Sequence, residues 1–222
     1  MSHPPAVPPP SHGAPWIKVC GVCSWEDVEG CAKAGATHVG INTWPKSPRA
    51  VANGLALDLI RTSLLNGISP VVLLLPGSTL PLERAAARGA RLLQTACAPS
   101  GPERGLLHRM GMALVEARPA RRESVPAMRW GQVLLLDASR PCLPGGTGTP
   151  FDWDFCSQAS RPFVLAGGLG PDNVYEAVRT TRPAGVDAAS RLESRPGQKD
   201  LGRVREFCAA ARAALKEVHH AL

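Results

Sequence analysis

Seven positions, each lying where an apolar run of the chain gives way to a loop, carry groups able to do chemistry: Cys20, Arg49, Gln94, Asp137, Gly167, Gly168 and Ser190. A thiol and a carboxylate can divide the work of general base and general acid. A guanidinium can hold a carboxylate through two parallel hydrogen bonds. Gly167-Gly168, followed by Pro171 and a helical stretch, offers backbone amides to a phosphate. Each residue also has a plainer use. A cysteine is commonly a small buried hydrophobe, an arginine a solvated charge, a glutamine a satisfied core amide, and a Gly-Gly pair a tight turn. What points to a site is that all of them fall at the ends of apolar runs.

Those runs must be strands. Val133-Leu134-Leu135-Leu136 is continuously apolar and ends on Asp137, as expected of a strand buried on both faces of a parallel sheet. A loop closing with Gly145-Gly146-Thr147-Gly148 follows it. Similar runs lie over residues 16–22, 38–44, 70–75, 91–96, 112–117, 163–166 and 185–189. Between them the pattern predicts helices over 25–33, 55–65, 80–88, 103–109, 151–157 and 172–181, with a closing helix over 201–218. Residues 118–130 carry two prolines and little apolar periodicity, so a loop is expected where the fifth helix would stand. Eight strands alternating with helices predict right-handed βαβ units closed into a (β/α)8 TIM barrel over residues 16–222. In that fold reactive groups sit at the C-terminal strand ends. An open doubly wound sheet would want a glycine-rich fingerprint after the first strand, and Cys20-Gly21-Val22-Cys23 is not one.

Composition narrows the class further. Residues 1–15 are Pro-rich, have no basic stretch leading into an apolar core, and are expected to be a disordered leader. No apolar run reaches the roughly 20 residues that span a bilayer, so a cytoplasmic protein with no membrane partner is expected. Seven cysteines are scattered, and the one close pair, Cys20 and Cys23, lacks a second pair or a His pair at ligand spacing. No metal is expected. The net charge of +7 is spread along helical segments and aromatics make up only 5% of the chain, which argues against nucleic acid and suits a phosphorylated or carboxylated small molecule.

The chain resembles the phosphoribosylanthranilate isomerase family from Ile17 to about Arg212. Lys18-Val19-Cys20-Gly21 is similar to the family's opening K-[IV]-C-G, and Trp44-Pro45-Lys46-Ser47-Pro48-Arg49 to its P-K-S-P-R region. Gly145-Gly146-Thr147-Gly148 with Phe151-Asp152-Trp153 looks like G-G-[ST]-G-x-x-F-D-W. Leu165-Ala166-Gly167-Gly168-Leu169, with Pro171 and Asn173-Val174, resembles L-A-G-G-L-x-P-x-N-V. Gly185-Val186-Asp187, Glu193-Ser194 and Pro196-Gly197-Gln198-Lys199-Asp200 resemble G-V-D, E-S and P-G-x-K-D.

The resemblance implies an Amadori rearrangement of N-(5-phosphoribosyl)anthranilate, without cofactor or metal. It implies Asp137 as general acid, Cys20 as general base and Arg49 as the holder of the anthranilate carboxylate. Gln94, Gly167, Gly168, Ser190 and Arg191 complete the expected substrate site, in a monomer or homodimer. The chain departs from the family at three places. Pro76 stands where the third strand's end usually carries a polar residue. Ala96 and Cys97 replace a His-Gly after the fourth strand. Arg191 replaces the glycine that usually follows the serine after the eighth. That last change leaves open a diverged barrel that binds a phosphorylated ligand without the isomerase activity.

Overall fold

The computed structural model describes residues 15–97, 100–120, 132–137 and 162–220. Eight parallel strands close into a barrel in sequence order: β1 (Trp16–Cys20), β2 (His38–Asn42), β3 (Ser69–Leu74), β4 (Leu92–Thr95), β5 (Ala113–Pro119), β6 (Gln132–Asp137), β7 (Val164–Ala166) and β8 (Gly185–Ala188), with β8 pairing back onto β1. The helices α1 (Trp25–Lys33), α2 (Asn53–Leu65), α3 (Leu82–Ala87), α4 (Gly101–Arg109), α5 (Val174–Thr181) and α6 (Leu201–His220) lie between or after the strands. The expected barrel is therefore the fold. The expected leader, the loop expected in place of a fifth helix beyond Ala120, the Gly145–Gly148 stretch and the helix expected over 151–157 fall outside the described residues. One boundary is corrected: Arg118 and Pro119 belong to β5, because the ladder to β6 pairs them with Leu136 and Asp137.

Strand period sorts each run between two cores. On β1, Ile17 and Val19 join the large cluster shared with the helices, whereas Trp16 joins a smaller cluster inside the barrel with Val71, Leu92, Val115, Val133, Leu135, Val164 and Ala166. Lys18 and Cys20 share the inward face of Trp16. The same alternation turns Gln94, Asp137 and Asp187 inward. The barrel floor is thus apolar, with Trp16 stacked on His38 at 3.6 Å between ring centroids, and polarity rises toward the C-terminal strand ends.

Local signals set the helix starts. The Ser24 hydroxyl accepts from the Asp27 amide while the Asp27 carboxylate accepts from the Cys23 amide. Ser100 and Glu103 form a reciprocal capping box ahead of α4. One element has no counterpart in the sequence reading: after a 3₁₀ turn at Ser190–Leu192, an antiparallel hairpin pairs β9 (Glu193–Arg195) with β10 (Gln198–Lys199).

Candidate active site

Cys20, Arg49, Gln94, Asp137, Gly167, Gly168 and Ser190 all line one cavity of about 200 Å³ at the C-terminal mouth of the barrel. β1 delivers Cys20, β4 Gln94 and β6 Asp137. The loop after β7 brings Gly167 and Gly168, both at positive φ, and the 3₁₀ turn brings Ser190. Asp187, Asn42, Ser47 and Leu73 complete the parts of the lining that bear on the chemistry.

Arg49 reaches this cavity from the loop after β2. Its path crosses Gly21, whose φ is +78° and whose Cβ, were there one, would lie 2.4 Å from Arg49 Cδ. Any side chain at Gly21 would block that route. The Arg49 guanidinium donates through Nε and Nη2 to the two carboxylate oxygens of Glu193 at 2.7 and 2.8 Å. Lys199 Nζ donates to the same carboxylate at 2.8 Å and to the Ala189 carbonyl at 3.3 Å. Burial alone would raise the Glu193 carboxyl, but the hydrogen bonds and charges of Arg49 and Lys199 hold it below the usual carboxylate value. One anion is shared between two cations, so this cluster presents a net positive charge to the mouth.

Beneath the cavity Lys18, fully buried, donates to Asp187 Oδ2 at 2.8 Å. Burial by itself would lower the Lys18 ammonium, yet Asp187 and Cys20 outweigh it and the net direction is up. The Cys20 thiol goes up as well, chiefly through burial, with Lys18 opposing. Two acceptors aimed at the cavity, Gln94 Oε1 and Asp187 Oδ1, are buried and have no hydrogen-bond partner among the described residues. Buried acceptors of this kind are costly unless a donor meets them.

Arg191 lies elsewhere. Its backbone has no positive φ, and its side chain turns outward across Gly170 to donate to the Gly168 carbonyl at 3.1 Å and to the Asp172 carboxylate. It lines a neighbouring groove with Pro171, Asp172, Ser190, Arg203 and Glu206. Sequence reasoning gave no role to Lys18, Asp187, Glu193 or Lys199. Lys18 and Asp187 had a usable signal, since each is a charged residue inside an apolar run, and Lys18 is two positions from Cys20, hence on its face. Glu193 and Lys199 flank Pro196-Gly197, a turn dipeptide that marks the hairpin.

Residues 117–210 match the family model described as N-(5'phosphoribosyl)anthranilate (PRA) isomerase. The chain is 36% identical to N-(5'-phosphoribosyl)anthranilate isomerase of Paracoccus denitrificans over 89% of its own length and 97% of that protein. It is 36% identical to the protein of the same name from Solibacter usitatus over 90% and 98%. Among solved structures it resembles phosphoribosyl anthranilate isomerase from Thermotoga maritima, with a TM-score of 0.71 and 26% identity over 90% of this chain and 100% of that one. The enzyme from Thermococcus kodakaraensis gives a TM-score of 0.68 at 29% identity over 90% and 99%. With this barrel, this cavity and relatives matched along nearly their full length, the chain belongs to the N-(5'-phosphoribosyl)anthranilate isomerase family.

Proposed function

We propose that this protein converts N-(5-phosphoribosyl)anthranilate to 1-(2-carboxyphenylamino)-1-deoxyribulose 5-phosphate, a step of tryptophan biosynthesis. The observation that carries the proposal is the convergence of Cys20, Asp137 and Arg49 on one cavity at the strand ends, in a chain 36% identical to enzymes of that name. Asp137 gives a proton to the furanose ring oxygen. The C1–O bond breaks and the nitrogen lone pair forms a protonated Schiff base at C1. That cation acidifies the C2 proton, which Cys20 removes; the electron pair moves to an enolamine. Protonation at C1 and loss of the C2 hydroxyl proton give the amino ketone. C1 is reduced as C2 is oxidised, so atoms and electrons balance within the substrate.

The resting thiol of Cys20 is held protonated by its buried setting. The Schiff-base cation beside it and the Lys18 ammonium below both favour the thiolate when it is needed. In this reading Arg49, held along its Nε edge by Glu193, offers its remaining N–H groups to the anthranilate carboxylate. The Gly167, Gly168 and Ser190 backbone takes the phosphate, with Arg191 bracing that loop from outside. Gln94 Oε1 and Asp187 Oδ1 accept from the hydroxyls of the opened sugar. Residues 16–222 act as one barrel domain on a small phosphorylated molecule in the cytoplasm. No helix among the described residues is long and apolar enough to cross a membrane.

Two measurements test the proposal. The gene should restore growth without tryptophan to a strain lacking this isomerase, and the purified protein should convert the substrate to the amino ketone. Failure of both overturns the reading. Substrate binding without conversion would favour the diverged, binding-only barrel.

A further inference from the structure

An ammonium buried in a barrel is an expense that asks for a reason. Lys18 is fully enclosed, and its ion pair with Asp187 stands where a pair of apolar side chains of similar volume would often be as stable or more so. Both residues point inward from adjacent strands, paired in register as Lys18 with Asp187. Cys20 lies two residues along β1 from Lys18 on the same inward face, which puts the ammonium and the thiol close enough to interact electrostatically. Asp187 itself lines the cavity, with Oδ2 on Lys18 and Oδ1 unpartnered.

We infer that Lys18 is the positioning residue that sets the proton on Cys20, with Asp187 as the counter-charge that limits its pull. The inference rests on the proposed reaction only for its consequence in catalysis; the effect on the thiol exists without substrate.

The signs follow from the charges facing Cys20. Lys18 on β1 and Lys199 on β10 favour the thiolate, and Asp187 on β8 disfavours it. Arg49 in the loop after β2 also senses the thiolate and adds to the positive side. Burial opposes them all and is the largest single influence. Lys18 and Asp187 thus pull in opposite directions. Lys18 is the larger of the two influences, so removing both together leaves a net loss for the thiolate.

The test is the pH dependence of alkylation at Cys20 by iodoacetamide, read by peptide mass spectrometry on the full-length protein without substrate. Lys18→Met should raise the midpoint by about one to two units, the size of effect expected of a close opposite charge. Asp187→Asn should lower it. Lys18→Met/Asp187→Asn should fall between Lys18→Met and the native protein; with no buried charge left unpaired, it remains readable if Lys18→Met fails to fold. In turnover, the double variant should lose kcat at neutral pH with little change in KM and regain part of it as pH rises. Midpoints unmoved from native in the variants that fold, with activity lost at every pH alike, would overturn the inference and leave the pair a support for the barrel wall. Midpoint shifts in the variants, together with no turnover by the native protein, would sink the isomerase reading alone.

Discussion

The two sides of the barrel mouth are built on different plans. On the β6–β7–β8–β1–β2 side, charged groups tie together elements distant in the chain: Lys18 to Asp187, and Arg49 to Glu193, which also holds Lys199. On the β3–β4 side the strand-end polar groups bind their own loops. Ser78 Oγ accepts from the Leu75 amide, and Thr95 Oγ1 bonds with the amide and carbonyl of Cys97. Among the described residues, that side contributes only Leu73 and Gln94 to the cavity. Two of the three departures from the family pattern, Pro76 and Ala96-Cys97, fall there, where a loop closed on itself can change without disturbing anything across the mouth. The third, Arg191, lies on the charged side but points out of it. The difference separates a fixed part that can carry the reaction from a part free to vary in shape.

The sharpest break of this division is at the proposed acid and base. Cys20→Ala and Asp137→Asn should each lower kcat by roughly 100-fold or more, with much smaller changes in KM. Near-native turnover in either would dissolve it. Arg49→Lys should raise KM by about tenfold or more, since a point charge cannot replace the planar fork and a hydrogen bond to a charged group contributes about 1.5–3 kcal/mol. An unchanged KM would remove Arg49 from the site.

Gln94→Leu, on the sparser side, should raise KM by only about two- to tenfold, the range of a neutral hydrogen bond. A loss matching Arg49→Lys would show that both sides carry the substrate equally. Arg191→Gly should keep kcat/KM within about fivefold, because its partly exposed pair with Asp172 contributes about 1 kcal/mol or less. A larger fall would make the arginine a ligand.

Least visible at neutral pH is His38, at the foot of the charged side. Burial first, and the Lys18 ammonium second, push its imidazole down to about 3. The unfolded chain binds a proton there below about 6.5 while the folded barrel does not. Stability from this source is therefore complete above that pH and lost as pH falls toward the folded value. His38→Gln should flatten the fall of Tm with acid below about 6.5 without altering turnover at neutral pH. Parallel Tm curves for the two proteins would exclude it.

How far the sequence could be read follows from the same physics. Continuous apolar runs such as residues 133–136 announce strands buried on both faces, and the barrel could be inferred from their alternation with helices. Cys20 and Asp137 were visible because each ends such a run. Glu193 and Lys199 fall in motifs shared with the family, but β9 and β10 are too short for a period to assign them a role. Their function depends on reaching Arg49, 144 residues away from Glu193 in the chain. Lys18 was visible as a charge inside an apolar run, but its role becomes legible only when the adjacent strand β8 supplies Asp187. The outward turn of Arg191 depends on Asp172 and the Gly168 carbonyl, which spacing alone does not bring together.

The Pro196-Gly197 turn of the hairpin packs down on the loop that carries Arg49: Gly197 has φ of +83°, and a Cβ there would lie 2.6 Å from the Pro48 carbonyl oxygen. A latch made by the last quarter of the chain on the first has a consequence for the order of folding. Contacts spanning 144 and 169 residues are the slowest to form, because loop-closure entropy is spent before they return anything. Arg49 and the lysine beneath Cys20 thus find their partners only when β8 has closed the ring and the hairpin has folded over. A nascent or partly unfolded chain carries Cys20 and Arg49 from its earliest residues but cannot assemble them into a site. Competence to bind substrate then reports ring closure itself, and in refolding it should appear with the final phase.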